Sequence, residues 1–270
     1  MYESFYGLKT KPFAITSNPS FLFLSQRHKE ALAHLTYGIR ERVGFIEITG
    51  EIGAGKTTVC RALLDRLDEK TKSAFIFNSN LSESQLMQTI VEDLGIKTAQ
   101  KTKGALFCEL NRFLMDQLAK GNNVVIIIDE AQNLNLRLLE QIRMLSNLES
   151  ANEKLLQIVL VGQPELREKL KSPKLRQLRQ RIAVRYHIGA LSCEETAAYI
   201  EHRLSLAGCS NPSLFDSFAV QEIFRYSGGV PRLINMISNK AMLTGFVMEV
   251  SIIGEEIVKQ SVTELEGVPA

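Results

Sequence analysis

Cysteine is scarce in this chain: Cys60, Cys108, Cys193 and Cys209 are scattered, with no C-x-x-C pair and no histidine at ligand spacing. That scatter argues against a zinc site and for isolated thiols in a reducing compartment. Long apolar runs are also missing. The longest, Val124 to Ile128, is far too short to cross a bilayer. The opening MYESFYGLKTKPF lacks the charged-then-apolar layout of a secretory signal. A cytoplasmic chain without a membrane span is the expectation. Charge excess is absent too, since 32 basic residues face 30 acidic ones for a net charge of +2. Such a balance neither demands a polyanionic partner nor forbids a local basic patch. Neither an internal repeat nor a low-complexity segment interrupts the sequence.

What remains is an ordinary soluble composition, 45% hydrophobic and 23% charged. A length of 270 residues suits one large domain or two smaller ones with a full core. Residues 1–24, aromatic-rich and punctuated by Pro12 and Pro19, read as an ordered but irregular arm. From 25 to 190, apolar strand candidates alternate with helical patterns. The strands are GFIEIT, SAFIF (73–77), VVIII (124–128), LQIVLV (156–161) and AVRYHI (183–188). The helical patterns cover 58–69, 83–94, 104–120, 135–149 and 165–171. That alternation predicts an α/β domain with a five-stranded parallel sheet and helices on both faces, VVIII lying in a central, doubly buried position. From 191 to 265 only helical patterns appear, which predicts a small all-helical domain. Ser192 with Glu195 forms a capping-box signature, and Gly208 marks that helix's end.

The sharpest motif is GEIGAGKTT, residues 50–58, set between the strand GFIEIT and the helical VCRALLDRL. Gly50-x-x-x-x-Gly55-Lys56-Thr57 is a complete phosphate-loop pattern in the strand–loop–helix context it requires. Glycines are needed where a Cβ would block successive backbone N–H groups from wrapping a phosphate. The stretch Gly50, Glu51, Ile52, Gly53, Ala54, Gly55, Lys56, Thr57 and Thr58 is therefore the candidate ATP-binding loop. Lys56 would neutralise phosphate oxygens, and Thr57 would place its hydroxyl on Mg²⁺.

VVIIIDEAQ, residues 124–132, delivers Asp129 and Glu130 together at the end of a buried strand. Asp129 suits a hard cation such as Mg²⁺, and Glu130 suits the general base that activates water. IVLVGQPEL ends a second buried strand in Gln163, which reaches the γ-phosphate or the attacking water if the two strands are neighbours. KSPKLRQLRQRIAVRYHI, residues 171–188, carries Lys171, Lys174, Arg176, Arg179, Arg181 and Arg185 without one acid. Such a run reads as a solvated basic helix or a nucleic-acid patch, although no aromatic interleaves the basic residues before Tyr186. A sharper reading makes Arg181, with Arg179 second, an arginine that stabilises transition-state charge in a neighbouring subunit. In SGGVPRLIN, residues 227–235, Pro231 suits the first helical position and Arg232 follows it. A cation there opposes the helix dipole, so a γ-phosphate is the expected partner of Arg232.

Together these stretches resemble the AAA+ ATPases, with GEIGAGKTT as Walker A, VVIIIDEAQ as Walker B, Gln163 at sensor 1, Arg181 at the arginine finger and GGVPRLIN at sensor 2. Within that superfamily the chain resembles the bacterial general secretion pathway protein A (ExeA-like) family. FYGLKTKPF…NPSFLFLSQRHKEAL, DEAQNL, LVGQPEL, LRQRI and GGVPRLIN carry that match. The resemblance implies a P-loop α/β domain with a helical lid, and ATP hydrolysis with Mg²⁺ by Lys56, Glu130, Gln163, Arg181 and Arg232. It also implies a nucleotide held between the two domains, with the N-terminal arm on its base side. Expected partners are further copies of the chain and a secretion or pilus-type envelope assembly protein. Many members continue into a transmembrane helix and a peptidoglycan-binding domain, and this sequence reaches VTELEGVPA with neither. Similar modules in transposon target selection bind DNA, which the basic run keeps as the alternative partner.

Overall fold

The computed structural model describes residues 1–14, 21–77, 81–149, 153–211 and 213–267. Pro19 and the NPS of the family signature lie outside the described residues, as does the closing VPA. In chain order the elements are α1 (Tyr2–Phe5), α2 (Gln26–Arg40), β1 (Phe45–Gly50), α3 (Lys56–Leu64), β2 (Thr71–Ile76) and α4 (Glu83–Asp93). Next come α5 (Lys103–Ala119), β3 (Asn123–Ile128), α6 (Leu136–Leu145), β4 (Gln157–Gly162), α7 (Pro164–Leu170), α8 (Arg176–Arg181) and β5 (Ile182–Ile188). The chain closes with α9 (Cys193–Leu206), α10 (Ser217–Ser227), α11 (Pro231–Val247) and α12 (Glu255–Leu265). These elements fall into two compact units, one of residues 27–50 and 59–188, the other of 1–26, 51–58 and 189–270.

In the first unit five parallel strands form one sheet, ordered β2-β3-β4-β1-β5. β1 and β4 are buried along their whole length, as expected of strands covered by helices on both faces. VVIII lies in β3, an interior strand between β2 and β4, while β4 takes the middle of the sheet. β5 alternates buried and exposed residues because it forms an edge. Within the buried β1, Glu47 is the exception to the apolar pattern. Its carboxylate meets Arg185 of β5 at 3.3 Å and Arg167 of α7 at 4.0 Å. Burial nevertheless lifts its pKa above the ordinary carboxylate value, against the pull of Arg185 and then Arg167. Side-chain caps start the helices: Ser82 and Gln85 form a capping box on α4, Thr102 caps α5 and Asn135 caps α6.

The second unit has its own core. The arm does not stand apart, because Tyr2, Tyr6, Leu8 and Phe13 join Tyr199, Phe215 and Ile234 in one apolar cluster. Phe13 is fully buried and meets Phe215 edge-on at 5.9 Å. Arg203, also buried, donates to the Pro12 carbonyl at 2.5 Å and the Tyr199 hydroxyl at 2.8 Å. Its guanidinium lies 4.9 Å from the Phe21 ring centre. Ser192 and Glu195 form the capping box of α9, and Gly208 follows that helix at φ +83°. No helix among the described residues is long and apolar enough to cross a membrane.

Candidate nucleotide site

Because β1, β3 and β4 run parallel, their C-terminal ends share one edge of the sheet. Gly50 ends β1, Asp129 follows β3, and Gln163 follows β4. From Gly50 the chain turns through Glu51, Ile52, Gly53, Ala54 and Gly55 into α3, which starts at Lys56 and carries Thr57 and Thr58 in its first turn. Gly53 and Gly55 take φ values of +82° and +91°, where a side chain is strained. Gly53 is constrained a second way. A Cβ there would lie 2.4 Å from Cβ of Arg232, so the Arg232 stem rests directly on the loop. Pro231 occupies the first turn of α11 ahead of it. Lys56 is buried, and its ammonium donates to the Glu51 carbonyl at 2.9 Å, spanning the loop.

Asp129 is buried too. Its amide donates to the Ile76 carbonyl at the end of β2, at 3.0 Å, and its Oδ1 accepts the Glu130 amide at 2.8 Å. That turn forces Glu130 into the left-handed region, φ +52° and ψ 36°, uncommon for a residue with a side chain. Such conformations cost on the order of 1–3 kcal/mol and persist where surrounding contacts over-determine them. Here the contacts are explicit. Oε2 of Glu130 accepts from Nε2 of Gln132 at 2.5 Å and from Nε2 of Gln163 at 3.1 Å. Oε1 of Gln132 in turn accepts the Gln163 backbone N–H at 3.0 Å, closing a ring of three residues. Lys169 of α7 pins the loop after Asp129, donating to the carbonyls of Gln132 and Leu134. At Gly162 a Cβ would approach Oε1 of Gln132 and Cδ2 of Leu166 to 2.9 Å each, so a side chain there would displace Gln132 or Leu166.

Gln163 thus reaches Glu130 because β4 lies beside β3. Gln132 and Lys169 are contributors that sequence reasoning missed. Gln132 sits inside the quoted VVIIIDEAQ, but its tie to Gln163 exists only once two distant strands pair. Arg181 ends α8 half-buried, donating from Nη1 to Oγ of Ser146 at 2.6 Å. Ser146 Oγ donates onward to the Arg143 carbonyl at 2.6 Å. Arg179 is exposed, its Nη1 reaching the Lys171 carbonyl at 3.5 Å. Among the described residues, no group of three or more His, Cys, Asp or Glu side chains could hold a metal by itself.

Residues 39–170 match the AAA domain family. General secretion pathway protein A of Aeromonas hydrophila is 46% identical over 247 residues, covering 91% of this chain and 45% of that protein. The chain therefore spans less than half the length of that relative. Among solved structures, the Aeropyrum pernix ORC2 protein in ADPNP–ADP complexes superposes with a TM-score of 0.67 at 19% identity, covering 95% of this chain and 72% of that one. The RuvB Holliday junction branch migration motor of Thermotoga maritima gives 0.60 at 20% identity, covering 90% and 70%. These two likenesses speak to the fold. With the phosphate loop, the acidic strand end and the shared sequence taken together, the chain carries a P-loop AAA domain and is similar over nearly its whole length to general secretion pathway protein A.

Proposed function

We propose that this chain binds and hydrolyses ATP and works as an oligomeric switch or motor in the assembly of secretion or pilus-type envelope machinery, from the cytoplasmic side. The observation that carries the hydrolytic reading is Glu130, set beside Asp129 at the strand ends with its carboxylate oriented by Gln132 and Gln163. A loop that only stored nucleotide would need no carboxylate held in this way. The assembly role rests on the 46% identity to general secretion pathway protein A. In this reading residues 25–190 are the nucleotide-binding domain, 191–265 the lid and 1–24 the arm.

Amides of residues 51–55 and the start of α3 wrap the phosphates, and Lys56 neutralises them. Glu130 accepts the proton of the attacking water, and Gln163 orients that water or the γ-phosphate. Arg232, stacked on Gly53, reports the γ-phosphate to the lid. Thr57 and Asp129 would each supply oxygen of the hard kind that Mg²⁺ prefers, and two such ligands suffice for an ion that otherwise keeps waters and substrate phosphates. When bound, Mg²⁺ would neutralise charge developing on the phosphates.

The test is paired. Lys56→Ala should abolish tight ATP binding, while Glu130→Gln should bind ATP and fail to hydrolyse it. Turnover by Glu130→Gln at the wild-type rate would remove Glu130 as the base. A second reading, a DNA-binding ATPase, is favoured by Lys174, Arg176 and Arg179, which lie exposed along 174–179. DNA-stimulated, salt-sensitive turnover would support that reading.

A further inference from the structure

A groove of about 1020 Å³ opens between α4, α5 and α6. Its walls are Met87, Phe107, Leu136, Met144, Leu145 and Leu175. Three of these are unusually exposed for their size: Met144 at 47%, Phe107 at 39% and Leu136 at 36%. Exposed apolar side chains gathered along one concave face offer a partner surface to bury. Two methionines give the walls a surface that re-packs around different partners.

The shape of the walls points to a helix. On α5 the lining residues are Lys103, Gly104, Phe107 and Cys108, and on α6 they are Leu136, Arg137, Glu140, Gln141, Met144 and Leu145. Both sets repeat at three- and four-residue spacing, so each wall is one continuous helix face. At Gly104 a Cβ would meet nothing within 4 Å, which leaves the α5 wall open. The α6 wall, ten residues long, spans about 15 Å, the length of nearly three helical turns. Ridges on such faces accept the ridges of a third helix.

The charges at the rim choose the sign of the occupant. Glu83 is tied to Lys103 at 2.5 Å, and Glu140 to Arg143 at 2.7 Å. Arg137 and Lys174 also line the groove, and Arg137 is near enough to Glu83 to help hold its carboxyl below the usual range. Lys103, Arg137 and Lys174 thus face only Glu83 and Glu140 at the rim, which leaves net positive charge for carboxylates on the occupant. At the floor, Gln141 donates from Nε2 to the Glu83 carbonyl at 3.3 Å, while its buried Oε1 has no partner among the described residues.

We propose that this groove is a docking site for an amphipathic helix of a partner protein, apolar on one stripe and acidic along its flanks. The apolar stripe fills the space between Phe107 and Met144, and the flanking carboxylates pair with Arg137 and Lys174. The site would let a partner be held on the face formed by α4, α5 and α6.

A synthetic fluorescent helix with Leu at i, i+3, i+4 and i+7 and Glu on both flanks is the probe, used against the full chain. It should bind with an anisotropy change that weakens with salt. Met144→Asp should weaken binding about tenfold or more, as loss of a central anchor does. The double change Arg137→Glu with Lys174→Glu should transfer preference to the same helix with Lys flanks, and because both sites are rim positions that variant keeps its fold. A single cysteine in the probe should form a disulfide with Cys108 rather than with Cys193 or Cys209. Equal binding by Glu- and Lys-flanked helices, no effect of Met144→Asp, or cross-linking away from Cys108 would each overturn the proposal. Binding of decanoate at Cys108 without binding of either helix would overturn it as well, in favour of a small amphipathic ligand.

Discussion

Glu130 is held where an isolated glutamate would not sit. Its left-handed backbone and doubly bonded carboxylate mean that its neighbours, rather than its own preference, fix the position of the proposed base. Gln132→Ala removes one of the two amides and the acceptor of the Gln163 backbone. A misplacement of order 1 Å can cost about 10²-fold in rate, so kcat should fall by roughly 10–100-fold while ATP affinity stays within a factor of about two. Gln132→Glu, of equal shape but facing Glu130 with a like charge, should be at least as slow. Single-turnover hydrolysis beside equilibrium ATP binding separates the two parameters; unchanged kcat in Gln132→Ala would leave Gln132 with a purely structural role. Gly50 to Thr58 and Asp129 with Glu130 were legible in the sequence because each is a contiguous pattern. Gln132 and Lys169 were not. Their contacts run between the turn after β3 and the residues that follow β4, and no local spacing encodes that juxtaposition.

At the scale of elements, the alternation of strands and helices was readable, and the observed strands differ from the sequence pattern mainly at their ends. Thr71–Ile76 replaces 73–77 for β2, for example, because the ladder with β3 runs from Thr71 to Ile76. What the pattern did not convey is where the arm goes. Its aromatics are packed by α9 to α12, which follow almost the whole sheet in sequence. Phe13→Ala should therefore destabilise the helical unit by about 3–5 kcal/mol, as large cavities in a packed core do, and lower the thermal midpoint. Glu47 shows a second departure, a carboxyl inside a strand read as apolar. Its folded pKa lies above the unfolded one, through burial, so between those two values the folded state holds more protons. Stability contributed at this site must then fall as pH rises through the window just above the ordinary carboxylate value. Glu47→Gln should flatten that part of the pH–stability curve, and its cost near pH 7 should be small because the arginines it leaves behind are largely solvated. Urea unfolding of both proteins across mildly acidic and neutral pH measures the difference.

For the whole molecule, the open question is whether one subunit suffices for turnover. Arg181 ends α8 and is engaged by Ser146 of its own chain, while Glu149, whose carboxyl Lys154 and then Arg181 hold below the usual range, lies nearby. An arginine tied in this way is pre-positioned as part of a surface rather than swinging freely, which suits a group presented to another copy. Supplied in trans, such an arginine contributes roughly 10³–10⁵ in rate, so an isolated subunit should be nearly inert. ATPase activity per subunit should rise with protein concentration. Lys56→Ala and Arg181→Ala should each be inactive alone, yet mixing them should restore part of the activity, because the first lends its Arg181 to the intact phosphate loop of the second. Arg179→Ala serves as the comparison, since Arg179 is the more exposed of the two and lies two residues earlier on the same helix. A verified dilute monomer that turns over as fast as the concentrated protein would sink the trans assignment. Full activity of both single arginine variants would do the same, returning the basic run to the role of a phosphate-contacting face, where each lost cation lowers the salt slope of DNA binding by about one.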